Sequence, residues 1–178
     1  QLHSDSHSFQ EMVRATSDQS GFDARLVEKD YYCSLLLRAF CVKGSPLVFK
    51  GGTCISKVFS NFYRLSEDLD FCIPAETSRA IRRRAIAPLK EAVAVLPDQI
   101  TGVVAQKPLT GHNESTQYVA ELGYTSVVTG TLEPIKVEVG LREPLMCPSE
   151  SRSARTLLKD PFSGREALEP FAVTVMNE

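Results

Sequence analysis

The chain lacks several features that would fix its class at once. It has no tryptophan, and no apolar run approaches the ~18 residues that span a bilayer. No signal-peptide pattern is present, so no membrane partner is expected. No charge of one sign dominates: 20 Lys and Arg stand against 22 Asp and Glu, for a net charge of −2. That excludes a global basic field, so any nucleic-acid contact has to use a local patch. The five cysteines (Cys33, Cys41, Cys54, Cys72, Cys147) are odd in number and form no C-x-x-C pair. This argues against a disulfide framework or a Cys/His zinc site and for a reducing, cytoplasmic setting. No G-x-x-x-x-G-K-[ST] occurs, which excludes a P-loop NTPase. The remaining composition is that of one globular domain over residues 1–178, with 1–8 read as a frayed polar tail.

The informative stretch is 48–73. Pro46 to Lys50 is a short apolar run between Gly-Ser-Pro and Gly-Gly, as expected for a buried strand. Gly51 and Gly52 allow positive φ and close approach of a ligand. Thr53 can cap a following short helix, whose free N–H groups would suit phosphate. Lys57 lies one turn on from Thr53, on the same helix face. In the next strand Leu69, Phe71 and Ile73 alternate with Asp68, Asp70 and Cys72, so both aspartates project from one face. Two carboxylates roughly 7 Å apart repel unless a cation sits between them, and Mg²⁺ suits carboxylate oxygens, water and triphosphate. A bare D-x-D is also compatible with a solvated strand edge or a sugar-nucleotide transferase.

Elsewhere the pattern predicts a short helix over Phe9–Ala15 and a longer one from an Asp23 cap to about Val42. Lys29 within it is read as a solvated charge rather than the alternative, a phosphate contact. Asn61–Ser66 links to the aspartate strand; there Arg64 can meet phosphate bidentately or pair with Glu67 or Asp68, and Ser66 can hold the loop. Ala75–Leu96 reads as an amphipathic helix with Ile81, Ala85, Leu89, Val93 and Leu96 on its apolar face, kinked or divided at Pro88. Its Arg79, Arg82, Arg83 and Arg84 form a solvated face or an RNA-backbone contact. Strands are expected over Ile100–Gln106, Thr116–Tyr124, Leu132–Val139 and Phe171–Met176, with a polar loop carrying His112 over Lys107–Ser115. Arg142–Pro170 reads as irregular. In I-K-V-E-V, Ile135, Val137 and Val139 alternate with Lys136 and Glu138.

K-G-G-T-x-x-x-K (Lys50–Lys57) followed by R-L-S-E-D-L-D-F (Arg64–Phe71) resembles the signature of the AbiEii/MenT-type nucleotidyltransferases. These are toxins of abortive-infection and type IV-like toxin–antitoxin pairs, within the DNA polymerase β-like superfamily. The resemblance covers about residues 26–140 and includes a K-D-Y segment at Lys29–Tyr31. It implies an α/β (α+β) fold, a mixed sheet with flanking helices. It implies catalytic, metal-holding carboxylates at Asp68, Asp70 and Glu138, the last departing from the aspartate common in the family. It implies nucleotide binding by Gly51, Gly52, Thr53, Lys57, Arg64 and Ser66. The implied activity is Mg²⁺-dependent transfer (Mn²⁺ as a substitute) of a nucleoside monophosphate from an NTP to RNA, at a tRNA 3′ end, in phage defence, with a cognate antitoxin as partner. The family's later helical region, with a glutamate–lysine pair and an arginine/aspartate-rich motif, has no counterpart here, so the chain reads as truncated or as a short divergent member. The alternative reading is a non-catalytic module of the same fold that binds an antitoxin or nucleic acid.

Overall fold

The period-two stretches assemble one mixed sheet, and the helical stretches cover one of its faces. The structure is a computed structural model and describes residues 1–42, 44–74, 78–142, 145 and 147–177. Its elements are α1 (Ser6–Ser20), α2 (Ala24–Phe40), β1 (Val48–Lys50), α3 (Gly51–Cys54), β2 (Leu69–Pro74), α4 (Arg79–Gln99), β3 (Val103–His112), β4 (Gln117–Thr125), β5 (Leu132–Arg142), β6 (Ser149–Ala154) and β7 (Phe171–Met176). Short 3₁₀ turns lie at Leu2–Ser4 and Asn113–Ser115, and a π turn at Ile55–Phe59. The strand order is β3-β4-β5-β2-β1-β7-β6. The β2/β5 and β1/β7 pairs are parallel, and the others antiparallel. No helix among the described residues is long and apolar enough to cross a membrane.

Alternation decides which face is which. Phe49, Leu69, Phe71, Tyr118, Ala120, Leu122, Val137 and Val139 point into the core beneath the helices. Their neighbours Lys50, Asp70, Glu121 and Glu138 are left half-exposed on the other face. From α4 the core receives Ile86, Leu89, Val93 and Leu96. Asp23 caps α2 as its sequence suggests, accepting the Arg25 N–H. Yet α2 is buried almost all round, and its charged middle is part of the interior.

Several expectations are corrected. Residues 1–8 are not frayed. Leu2–Ser4 is a 3₁₀ turn, and His3 is buried against Tyr31 and Tyr32. Its ring nitrogens meet the Tyr31 hydroxyl at 3.0 Å and the Thr101 carbonyl at 2.9 Å. Gln1 bonds Thr101 and Gln99. Asp5 caps α1, which is therefore twice the expected length. Helix α4 runs undivided through Pro88; residues 75–77 lie outside the described residues. Ile81 faces solvent and Arg82 is buried in its place, donating to the Glu114 carbonyl at 3.0 Å. The expected polar loop at 107–115 is mostly strand. β3 tolerates Pro108 because it is an edge strand, and its pairing shifts register around that residue. Strand β6 interrupts the stretch read as irregular. It is polar, pairs among the described residues only with β7, and so carries no apolar alternation to reveal it.

Candidate functional site

The site is built where β1, β2 and β5 lie side by side. Pairing fixes one row across the open face: Lys50 opposite Asp70, and Asp70 opposite Glu138. Adjacent strands are about 4.8 Å apart, so these side chains emerge as direct neighbours. Asp68 immediately precedes β2 and is exposed. Burial and the neighbouring Glu138 and Asp68 carboxylates raise the Asp70 pKa, only partly offset by Lys50 and Lys136. The row therefore favours an added cation.

The glycine pair sets the other wall. Gly51 has φ +78°, and a Cβ there would sit 2.4 Å from Asp70 Oδ2. A Cβ on Gly52 would sit 2.6 Å from an Arg64 guanidinium nitrogen and 3.0 Å from Ser66 Oγ. The two glycines thus let a carboxylate, a guanidinium and a hydroxyl close over one turn. Thr53 does not cap the helix. It lies inside α3, and its hydroxyl donates to the Asp68 carbonyl. Ser56 donates to the Arg64 carbonyl at 2.6 Å. The loop bearing Arg64, Ser66 and Asp68 is therefore pinned from the helix beneath it.

Lys57 is not at this site. Its ammonium is fully buried, paired with Asp30 at 2.5 Å and donating to Ser34 Oγ at 2.6 Å. Asp30 also accepts from the Leu157 N–H at 2.9 Å and the Thr156 hydroxyl at 3.2 Å. Lys29, expected in solvent, is buried and paired with Glu67 at 2.8 Å. Hydrogen bonds from Lys29 and Arg25 hold the Glu67 carboxyl below its usual range. Glu28 accepts from Ser126 and from the Val127 N–H. Three consecutive charged residues of α2 thus each anchor a different loop: the β4–β5 turn, the loop before Asp68, and the segment before β7. Periodicity misses them because it classes charged residues as surface. Lys50 was also missed, although the alternation Val48, Phe49, Lys50 puts it on the acidic face.

The oxygen donors suit a hard cation. Asp70 and Glu138 are register partners, but Glu138 is ion-paired with Lys136. Among the described residues no three His, Cys, Asp or Glu side chains form a ready metal cage. Mg²⁺ needs no such cage, since one or two carboxylates plus water and substrate phosphates complete its octahedron. Asp70 with Asp68 or Glu138 could hold it.

A family model for the nucleotidyl transferase AbiEii toxin of type IV toxin–antitoxin systems matches residues 34–177. The chain belongs to that family. The AbiEii match covers the glycine turn, both aspartates and Glu138. Similar solved structures include a nucleotidyltransferase candidate from H. pylori, 16% identical, over 70% of this chain and 49% of that one, with a TM-score of 0.47. JHP933 from Helicobacter pylori is 20% identical over 67% of this chain and 47% of that one, with a TM-score of 0.44. The chain spans about half the length of these solved relatives. No curated protein matches it.

Proposed function

We propose that this AbiEii-family domain transfers a nucleoside monophosphate from an NTP to an acceptor hydroxyl, with RNA, at a tRNA 3′ end, as the acceptor and a cognate antitoxin as regulator. The observation that carries the reading is the row Lys50–Asp70–Glu138 beside the Gly51–Gly52 turn. It puts acids able to hold Mg²⁺ next to donors able to hold phosphate. The triphosphate approaches beside the turn, where the missing Cβ atoms let the Arg64 and Ser66 side chains close in. Arg64 and Ser66 donate to its oxygens. Asp70 and Glu138 hold Mg²⁺, or Mn²⁺ in its place, with Asp68 beside them. When bound, the metal lowers the pKa of the attacking hydroxyl and neutralises charge on the transferred and departing phosphates. The acceptor oxygen bonds to the α-phosphorus, the bond to the β-phosphate breaks, pyrophosphate leaves, and the hydroxyl proton passes to solvent at this open face. Lys50 offsets the acidic charge while the site waits for substrate.

Equilibrium binding of each NTP, with Mg²⁺ and with EDTA, tests the arrangement. The expected result is binding that weakens at least tenfold in EDTA and in Arg64→Ala. Binding indifferent to both would remove the phosphate cradle and the metal from the account.

A further inference from the structure

Beside the acids, on the same sheet face, lies a groove that the transfer chemistry above leaves unused. Its volume is about 450 Å³, within the range of small-ligand sites. Its floor is the outer half of the sheet, β5, β4 and β3. Val119 pairs with Glu138 on one side and Thr110 on the other, so the groove continues the Asp70–Glu138 row. In the adjoining row Lys136, Glu121 and Lys107 lie abreast. His112 stands at the far end, and Pro108 supplies an apolar wall. Since strands are about 4.8 Å apart, the groove begins one strand from Asp70 and ends about 14 Å away.

The two sides of the acidic row differ. The glycine turn, Arg64 and Ser66 lie on the β1 side, and the groove lies on the β5 side. In-line displacement at phosphorus places the attacking oxygen opposite the leaving group. With pyrophosphate departing over the glycine turn, the acceptor has to enter from the groove. Lysines at 107 and 136 are parked on Glu121 and Glu138, with side chains 71% and 48% exposed. Exposed pairs of this kind are worth only about 0–1 kcal/mol, so both ammoniums are available to a phosphodiester. Lys136 links the two halves of the site, because moving onto an acceptor phosphate releases Glu138. Beyond His112 the hairpin tip accepts a hydrogen bond from Arg82. That brings the start of α4, with exposed Arg79, Arg83 and Arg84, to the same end. Cations thus recur from the acids to the sheet edge, with Glu121 between Lys136 and Lys107.

We infer that this groove seats the 3′-terminal single-stranded segment of a nucleic-acid acceptor, with Lys107, Lys136 and His112 on its phosphates and Pro108 and Val119 against a base or ribose. The direction of attack rests on the transfer reading; the binding prediction does not.

The test uses a 5′-fluorescein 12-nucleotide single-stranded RNA with a free 3′-hydroxyl, titrated against wild type, Lys107→Glu and His112→Glu over a salt series. Both positions are exposed, so folding should be unaffected, and circular dichroism checks this. Each variant is expected to weaken binding about tenfold, and Lys107→Glu to flatten the log affinity–log salt slope by about one. NTP binding, measured separately, is expected to stay unchanged. Unchanged RNA affinity and slope in both variants would overturn the inference. So would a loss of NTP binding without a loss of RNA binding, which would make the groove the nucleotide's own base site. Equal binding of a labelled poly-glutamate peptide of matched charge would replace nucleic acid with an acidic protein segment. RNA bound as expected but never extended would sink the transfer reading and leave the groove assignment standing.

Discussion

Replacing Lys57 with methionine separates a structural lysine from a substrate-binding one. The ammonium is fully buried and its Asp30 partner is 3% exposed. Removing one member of a buried ion pair leaves the other charge uncompensated, at a cost of about 3–5 kcal/mol. Asp30 keeps donors from Leu157 and Thr156, which places the expected loss near the lower bound. In a domain of this size each kcal/mol lowers Tm by about 2–4 °C, so the melting point should fall by about 6–12 °C. The assay is thermal unfolding by circular dichroism, with Asp30→Asn and the double variant completing a cycle. The double variant should recover part of the loss, because no charge is then stranded. NTP affinity, measured below the lowered Tm, should match wild type. A Lys57→Met protein with unchanged Tm and abolished NTP binding would refute the assignment and return Lys57 to the phosphate.

The glycine turn and the N-terminal strap give further predictions. Gly51→Ala should cost about 1–2 kcal/mol for its left-handed backbone, apart from the clash with Asp70, and should abolish activity; chemical denaturation and transfer assays check both. Gly52→Ala meets only the ends of Arg64 and Ser66, so stability should hold within about 0.5 kcal/mol while NTP affinity falls. Burial lowers the pKa of His3 below 6.5. The unfolded chain therefore takes up the proton first as pH falls, so this contribution is complete above about pH 6.5 and is lost on acidification below it. The urea midpoint should drop between pH 7.5 and 5.5 in wild type, and the part owed to this group should vanish in His3→Gln. Equal slopes in the two proteins would contradict the buried, neutral imidazole.

The acidic row was legible in the sequence because it obeys strand periodicity. Asp70 and Glu138 each alternate with core residues, and the structure makes them register partners. The glycine turn was legible because its residue type has one steric use, and both Cβ positions are in fact crowded by the side chains of Asp70, Arg64 and Ser66. Lys57 was misplaced by the same periodicity. Helical spacing puts it on a face with Thr53, but that face points inward, and α3 gives way to a π turn before Lys57 is reached. Lys29, Glu28 and Asp30 were illegible for a related reason. Each is stable inside only through partners 27 to 127 residues away in sequence, pairings that no local window contains. The N-terminal strap escaped notice because His3 is buried by Tyr31 and Thr101 rather than by its own hydrophobicity.

The central claim is that the Asp70–Glu138 row performs nucleotidyl transfer. Label transfer tests it most directly: each α-³²P ribonucleoside triphosphate is incubated with the protein, Mg²⁺ and total bacterial RNA, beside Asp70→Asn. The account predicts a labelled RNA band of tRNA size with wild type, lost in EDTA and in the variant. Equal labelling by Asp70→Asn, or no label on any RNA while the NTP is demonstrably bound with Mg²⁺, would contradict it.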